Sequence, residues 1–158
     1  MENVDYFIGR AIALAGQGMN GHHGGPFGAV VVKDGKIVGE GHNRVLSTVD
    51  PSAHGEVTAI RDATRNMANP WLEGCDLYTS CEPCPMCLAT SLWARIRHVF
   101  YAATRDDAAE IGFDDAAFYE ELQMAPEGKL MRVLALSDQY RQLARGVMLQ
   151  WPEKRKTY

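Results

Sequence analysis

The chain has 158 residues, of which 46% are hydrophobic and 23% charged, and its formal net charge is −4. This size and composition predict one soluble globular domain over residues 1–158, and the negative charge excludes a protein held to nucleic acid mainly by bulk positive charge. The longest purely aliphatic run is residues 29–32, whereas a membrane span needs about 20 apolar residues. Acidic residues stand near the N-terminus where a signal peptide would carry bases, so we expect a cytoplasmic location and no membrane partner.

The first half of the chain predicts a helix, a hairpin and a second helix. Apolar residues at three- and four-residue steps predict an amphipathic helix over residues 4–19. Residues 27–32 are typical of a buried strand, and Asp34-Gly35 predicts a tight turn into a returning strand over residues 36–42. A second helix is expected from about residue 54 to residue 67.

The second half of the chain continues with shorter elements. Strands are expected over residues 76–79, 98–102 and 132–136, and helices over residues 85–94, parts of the acidic stretch 106–121, and residues 140–147. Strands that alternate with helices predict a mixed sheet covered on both faces, so the expected fold class is α/β.

Four cysteines lie close together in the second half of the chain, at Cys75, Cys81, Cys84 and Cys87. Without a secretory signal, clustered thiols indicate a metal or catalytic site rather than disulfides. They are therefore the first candidates for chemistry.

Two short motifs, each at a predicted helix start, carry the candidate chemistry: His54-Gly55-Glu56 and Pro83-Cys84-Pro85-Met86-Cys87. Cys84 and Cys87 are one helical turn apart, so both sulfurs can face one point. Two thiolates and the His54 imidazole suit Zn²⁺ and leave one tetrahedral position open for water. Glu56 is well placed to act as general acid and base. This combination matches the signature of zinc nucleobase deaminases, H-x-E…P-C-x-x-C.

Other interpretations of the same residues remain open from spacing alone. A closed structural zinc site could use the four cysteines, or His54 with Cys81, Cys84 and Cys87, but it gives Glu56 no role. An iron–sulfur site would need a fourth cysteine where Ser91 stands. His54 could also be an ordinary core histidine.

Longer stretches make the resemblance to a family specific. They are Gly25-Pro26-Phe27-Gly28-Ala29-Val30, Asp50-Pro51 before His54, Glu56-Val57-Thr58-Ala59-Ile60-Arg61, Tyr78-Thr79-Ser80-Cys81-Glu82-Pro83-Cys84-Pro85-Met86-Cys87, Phe100-Tyr101-Ala102-Ala103 and Gly112-Phe113-Asp114-Asp115. Through them the chain resembles the cytidine deaminase-like superfamily, in particular bacterial guanine deaminases and, next, tRNA adenosine deaminases. The resemblance is dense to about residue 121 and thinner beyond it.

The resemblance implies a fold, a cofactor and an assembly. The fold would be a three-layer α/β/α sandwich around a mixed five-stranded sheet, with zinc on His54, Cys84 and Cys87 and with Glu56 moving protons. The assembly would be a homodimer in which the C-terminal segment, about residues 130–158, is exchanged between subunits. One departure is Gly55, because family members usually have alanine between the histidine and the glutamate.

The resemblance also implies a reaction, the hydrolysis of guanine to xanthine and ammonia. The residues expected at this small purine substrate are Asn43, Asp114, Asp115, Phe27, Trp93 and Tyr158, with Phe113 as a further stacking ring. Ordinary roles compete: core packing for the aromatic rings, a helix N-cap for one of the two aspartates, and a frayed terminus for Tyr158.

Rival functions are a tRNA adenosine deaminase, a pyrimidine deaminase, a structural zinc-binding module without catalysis, and a ferredoxin-like electron carrier. An enzyme that holds an RNA loop generally shows clustered bases. Here bases cluster only at Lys154-Arg155-Lys156, and residues 106–121 are acidic. We therefore do not expect nucleic acid as a partner.

Overall fold

A computed structural model describes residues 3–123, 130–131, 133–135 and 137–151. The chain divides into two compact units, with the boundary after Ala117. The first unit contains α1 (Val4–Asn20), β1 (Gly28–Lys33), β2 (Lys36–His42), α2 (Val45–Thr48), α3 (Gly55–Asn66), β3 (Cys75–Cys81), α4 (Pro85–Trp93), β4 (His98–Ala103) and α5 (Arg105–Glu110). Helix α6 (Ala116–Gln123) spans the boundary, and α7 (Asp138–Leu149) belongs to the second unit. No helix among the described residues is both long and apolar enough to cross a membrane.

The four strands form one mixed sheet in the order β2-β1-β3-β4. Strand β1 is antiparallel to β2 and to β3, whereas β3 and β4 are parallel. The predicted hairpin is present, and its turn residues Asp34 and Gly35 have φ angles of 49° and 71°, as a tight two-residue turn requires. The predicted α/β class with a mixed sheet is confirmed.

The predicted count of five strands is wrong for the part of the chain that the structure describes, which holds four. Of the expected fifth strand, residues 133–135 are not in a strand, and Arg132 and Leu136 lie outside the described residues. Val133 and Leu134 are exposed. A short apolar run does not by itself indicate a strand, because a strand also needs a neighbour to hydrogen-bond.

Side chains alternate between the two faces of the sheet and build a core on each. On one face, Val30, Val32 and Tyr78 pack with Phe7 and Leu14 of α1. On the other face, residues of β1 and β3 pack with α3 and the segment after α4. That second cluster includes Ala29, Val31, Leu77, Ala59, Ile60, Ala94 and Ile96. The sheet is therefore the middle of three layers, with helices on both sides.

Glycines on β2 bring the main chain of α3 very close to the sheet. A Cβ atom on Gly41 would lie 2.3 Å from the Ala59 backbone nitrogen, and one on Gly39 would lie 2.5 Å from the Ala59 carbonyl oxygen. Only hydrogen can occupy those positions. The depth of α3 against the sheet is therefore set by main-chain contact.

In the second unit, α7 carries an apolar stripe formed by Tyr140, Leu143 and Val147, all of them exposed. The Glu121 carboxylate accepts hydrogen bonds from the backbone N–H groups of Leu130 and Met131, each at 2.9 Å.

The predicted exchange of the C-terminal segment between subunits stays a prediction. Tyr158 and the basic cluster at residues 154–156 lie outside the described residues.

Candidate metal and catalytic site

Two helix N-termini converge at this site, as the sequence predicts. His54 is the N-cap of α3 and Cys84 is the N-cap of α4, and both have extended backbone conformations. Pro85 occupies the first position of α4, where its fixed φ favours a helix start. Glu56 and Cys87 follow within the first turn of their helices. The partial positive charge at both N-termini favours anionic side chains here.

A turn before α3 holds His54 in place. The Asp50 carboxylate accepts hydrogen bonds from the backbone nitrogen of Ser52 at 2.8 Å and from its hydroxyl at 2.6 Å. The backbone nitrogen of His54 then donates to the Ser52 carbonyl at 2.8 Å. The Asp-Pro-Ser sequence thus forms the turn that directs the His54 ring toward Cys84.

Three potential metal ligands form a nearly equilateral triangle. Cys84 Sγ lies 3.5 Å from His54 Nδ1, the two sulfurs are 3.6 Å apart, and Cys87 Sγ lies 3.6 Å from His54 Nδ1. Ideal tetrahedral zinc, with Zn–S about 2.3 Å and Zn–N about 2.05 Å, requires S···S of about 3.8 Å and S···N of about 3.6 Å. The spacing of these atoms therefore fits a tetrahedral zinc ion.

The other two cysteines are not part of this triangle. Among the described residues, the group able to hold a metal consists of His54, Cys84 and Cys87. Cys81 Sγ donates to the Thr104 carbonyl at 3.4 Å, and burial raises the pKa of its thiol to about 11. The geometry thus favours a three-ligand site over the closed site or the iron–sulfur site that spacing left open.

The three candidate ligands also share protons. The hydrogen bond between the two sulfurs, supported by the one between Cys84 and His54, lowers the pKa of Cys84 to about 4. The same hydrogen bond and burial raise the pKa of Cys87, and the hydrogen bond with Cys84 raises that of His54. The Cys84 thiolate therefore shares protons with the Cys87 thiol and the His54 imidazole. A metal cation bound at this position can replace those protons.

The Glu56 carboxyl lies beside the triangle and is 5% exposed. Its Oε2 accepts a hydrogen bond from Cys87 Sγ at 3.3 Å, and its Oε1 accepts one from Thr79 Oγ1 at 3.0 Å. Burial raises the pKa of Glu56. A carboxyl whose pKa is raised in this way is suited to accept and release a proton during a reaction.

Comparison with known proteins agrees with this geometry. The zinc-binding region of cytidine and deoxycytidylate deaminases, as described by its family model, matches residues 1–103. The chain belongs to the cytidine and deoxycytidylate deaminase family. This assignment confirms the resemblance predicted from the motifs.

Relatives of this family member include a guanine deaminase of Bacillus subtilis, 54% identical over 125 residues that cover 79% of this chain and 80% of the relative. A tRNA-specific adenosine deaminase of Aquifex aeolicus is 44% identical over 78 residues, which cover 49% of this chain and 52% of that protein. The X-ray structure of guanine deaminase from Bacillus subtilis superposes with a TM-score of 0.90 at 44% identity and covers 99% of both chains. The match to the guanine deaminase is thus longer and stronger than the match to the tRNA enzyme.

Two of the residues predicted to bind the base, Asn43 and Phe27, make hydrogen-bond and ring contacts within the first unit. Asn43 is 4% exposed. Its backbone nitrogen donates to the Phe27 carbonyl at 2.8 Å and its Oδ1 accepts from the Val45 backbone nitrogen at 3.1 Å. Phe27 packs edge-on against Phe113, with ring centroids 5.0 Å apart. The contact of these two rings places the 113–115 segment beside the strand that begins at Gly28.

The adjacent aspartates differ. Asp114 Oδ1 accepts a hydrogen bond from the Ala116 backbone nitrogen at 2.9 Å, at the start of α6. Burial and the negative charge of Cys84 raise the pKa of Asp115, and the charge of Asp115 in turn acts on His54. Asp114 therefore stabilises the turn into α6, whereas Asp115 interacts electrostatically with Cys84 and His54.

Two other residues, Trp93 and Tyr158, remain predictions as base-binding residues. Trp93 ends α4 and is 62% exposed. Tyr158 lies outside the described residues.

Sequence reasoning missed Thr79 and a pair of histidines. The Nδ1 of His23 and the Nε2 of His42 are 2.7 Å apart, and their rings stack at 4.9 Å. Burial lowers the pKa of His42. The alternation of β3 places Thr79 on the α3 face, but its partner depends on contacts between distant segments.

Proposed function

We propose that this chain catalyses the zinc-dependent hydrolytic deamination of guanine to xanthine and ammonia. One observation carries the proposal: a triangle of His54, Cys84 and Cys87 with zinc spacing has the buried Glu56 carboxyl beside it. The 54% sequence identity to a guanine deaminase supports guanine as the substrate.

We assign the zinc ligands as His54 Nδ1, Cys84 Sγ and Cys87 Sγ. When bound, zinc supplies Lewis acidity, which makes water nucleophilic near neutral pH and stabilises negative charge as it develops on oxygen. With three protein ligands, one tetrahedral position is left for the reaction, as is usual for catalytic rather than structural zinc.

Glu56 moves the protons in this proposal. Its carboxylate accepts a proton from the attacking water and delivers it to a ring nitrogen of guanine, while the water oxygen bonds to the adjacent carbon that carries the amino group. A second proton then passes from that oxygen through Glu56 to the amino nitrogen. The carbon–nitrogen bond breaks, ammonia leaves and the carbonyl of xanthine forms.

Base recognition is assigned to residues near the metal ligands. The backbone nitrogen of Val45 donates a hydrogen bond to the Oδ1 of Asn43. We therefore assign the Nδ2 of Asn43 as the group that donates a hydrogen bond to the base. Asp115, rather than Asp114, would accept a hydrogen bond from the exocyclic amine. Phe27 and Phe113 would contact the flat face of the ring, with Trp93 and Tyr158 closing the pocket.

We further propose that the working form is a homodimer in which the segment after about residue 130 is exchanged. Exposed apolar residues on α7 support an association surface. In such a dimer Tyr158 would reach the pocket of the partner. The cytoplasm is the proposed compartment because all four cysteines are free thiols.

The test is an ammonia-release assay with guanine, cytosine and an anticodon stem-loop RNA, together with zinc analysis of the purified protein. We expect ammonia from guanine alone and one zinc per chain. Glu56→Gln is the matched control: it keeps the side-chain shape but not the proton transfer, so it should retain zinc and lose activity by about 100-fold or more. Ammonia from RNA only would replace this proposal with a tRNA deaminase, and no ammonia from any base would replace it with a zinc-binding module.

A further inference from the structure

Thr79 is a buried side chain that the proposed reaction does not use. It lies on β3, is 1% exposed, and its Oγ1 is 3.0 Å from Glu56 Oε1. Preceding residues on the same side of β3, Cys75 and Leu77, belong to the apolar cluster against α3. Thr79 thus places a hydroxyl where the pattern of the strand calls for an aliphatic side chain.

The hydroxyl has a clear direction of donation. It carries one proton, and its two acceptors are Glu56 Oε1 at 3.0 Å and the Gly28 carbonyl oxygen at 3.5 Å. The shorter contact is within the usual range for an O–H donor, whereas the longer one is at the limit of a hydrogen bond. Thr79 therefore donates to Glu56 Oε1.

Thr79 is itself held rigidly. Its strand pairs with β1 on one side, opposite Ala29, and with β4 on the other, opposite Tyr101. A donor fixed by two strands can fix the rotation of the carboxyl group that it contacts.

We propose that Thr79 is a positioning residue that anchors Glu56 Oε1, so that Oε2, the oxygen nearer the Cys87 sulfur, is the one that carries the proton. Oε2 lies 3.3 Å from Cys87 Sγ and so faces the candidate metal ligands. Without the anchor, the carboxyl can rotate and spends less time in the productive orientation. This inference rests on the proposed deaminase function.

The experiment compares variants that separate the hydroxyl from the shape of the side chain. Thr79→Val removes only the hydroxyl, and Thr79→Ser keeps it. For Thr79→Val we expect guanine kcat to fall by about 10- to 100-fold with KM within about 3-fold, because the interaction acts on proton transfer rather than binding. Thr79→Ser should retain kcat within about 3-fold of the wild type.

Two controls distinguish positioning from packing. Ser80→Ala removes a buried hydroxyl from the neighbouring residue, and we expect its kcat to stay within about 5-fold of the wild type. Zinc content and melting temperature should be the same in Thr79→Val and the wild type. If Thr79→Val does not fold, Thr79→Ala and Thr79→Ser form a second pair that differs by the hydroxyl alone, and the same loss is expected between them.

The outcomes are separable from those of the proposed function. A wild type that releases no ammonia from guanine overturns the function itself. An active wild type with an equally active Thr79→Val overturns the positioning role, as does a Thr79→Ser variant that loses as much kcat as Thr79→Val.

Discussion

At the scale of single residues, two adjacent aspartates show how the surroundings divide roles between identical side chains. Asp114 hydrogen-bonds the backbone at the start of α6. The pKa of Asp115 is raised by burial and by the charge of Cys84. The hydrogen bond of Asp114 contributes to stability at the start of α6, whereas the proposed function assigns Asp115 to the substrate.

Substitution of each aspartate should therefore change a different property. Asp115→Asn should lower kcat/KM for guanine by about 10- to 100-fold with little change in stability, because a charged hydrogen bond to the base is lost. Asp114→Ala should lower the free energy of unfolding by about 0.5–1 kcal/mol, because one exposed hydrogen bond at the start of α6 is lost, and should reduce activity less. Steady-state kinetics and denaturant unfolding measure the two effects, and the reverse pattern would exchange the assigned roles.

The sequence predicted the metal site because its signals are local. Cys84 and Cys87 are spaced by one helical turn, and His54 and Cys84 stand at helix starts marked by turn residues and proline. The contacts of Thr79 with Glu56 and of His23 with His42 could not be predicted in this way. They join residues 23 and 19 positions apart, and their meeting depends on strand register and on how α3 lies on the sheet.

At the scale of elements, predictions succeeded where periodicity and turn signals agreed. The acidic stretch 106–121 was expected to be helical in parts, and it forms α5 and most of α6, separated at Gly112, whose φ is 93°. The expected strand at residues 132–136 was wrong because an apolar pattern alone does not supply a pairing partner. The contact of α3 with β2 at Gly39 and Gly41 had no sequence signal beyond the glycines themselves.

Two glycine-to-alanine substitutions, one at the contact of α3 with β2 and one at a position with free space for the added methyl group, should have opposite effects on stability. Gly41→Ala should destabilise the protein by about 1–3 kcal/mol or more, because the new Cβ meets the backbone of α3. That Cβ would lie 2.3 Å from the Ala59 backbone nitrogen. Gly16→Ala, within α1 and with no atom within 4 Å of the added Cβ, should stabilise the protein by about 0.5–1 kcal/mol.

Denaturant unfolding of both variants measures these changes on the same chain. Gly16→Ala serves as the control for the effect of the added methyl group on the unfolded state. A Gly41→Ala variant as stable as the wild type would mean that α3 can move away from β2 at little cost.

At the scale of the whole molecule, each unit exposes apolar side chains that are consistent with the proposed homodimer. In the first unit they include Leu92 and Trp93 of α4 and Phe100 and Tyr101 of β4, the edge strand of the sheet. In the second unit they form the Tyr140, Leu143 and Val147 stripe of α7. Exposed apolar patches of this kind mark interaction surfaces.

The proposed homodimer is tested by sedimentation velocity over about 1–100 μM protein, a range that detects a dimer whose dissociation constant is micromolar or lower. We expect a dimer for the wild type and a shift toward monomer for Leu143→Glu, which places a charge in the α7 stripe. Arg145→Glu changes the charge on the opposite side of the same helix and should leave the dimer intact. A wild type that is monomeric throughout would contradict the homodimer and the exchanged tail.

The glycine contact between α3 and β2 also has a consequence for redesign of the protein. Because the backbones of α3 and β2 are in contact there, we expect that exposed residues of α3, such as Arg65, can be substituted without moving the Glu56 carboxyl relative to the sheet. The space beneath the helix leaves no such freedom, since even a methyl group on Gly39 or Gly41 would force the two backbones apart. Redesign of the proposed base-binding residues would therefore begin elsewhere, for example at the rings of Phe27 and Phe113.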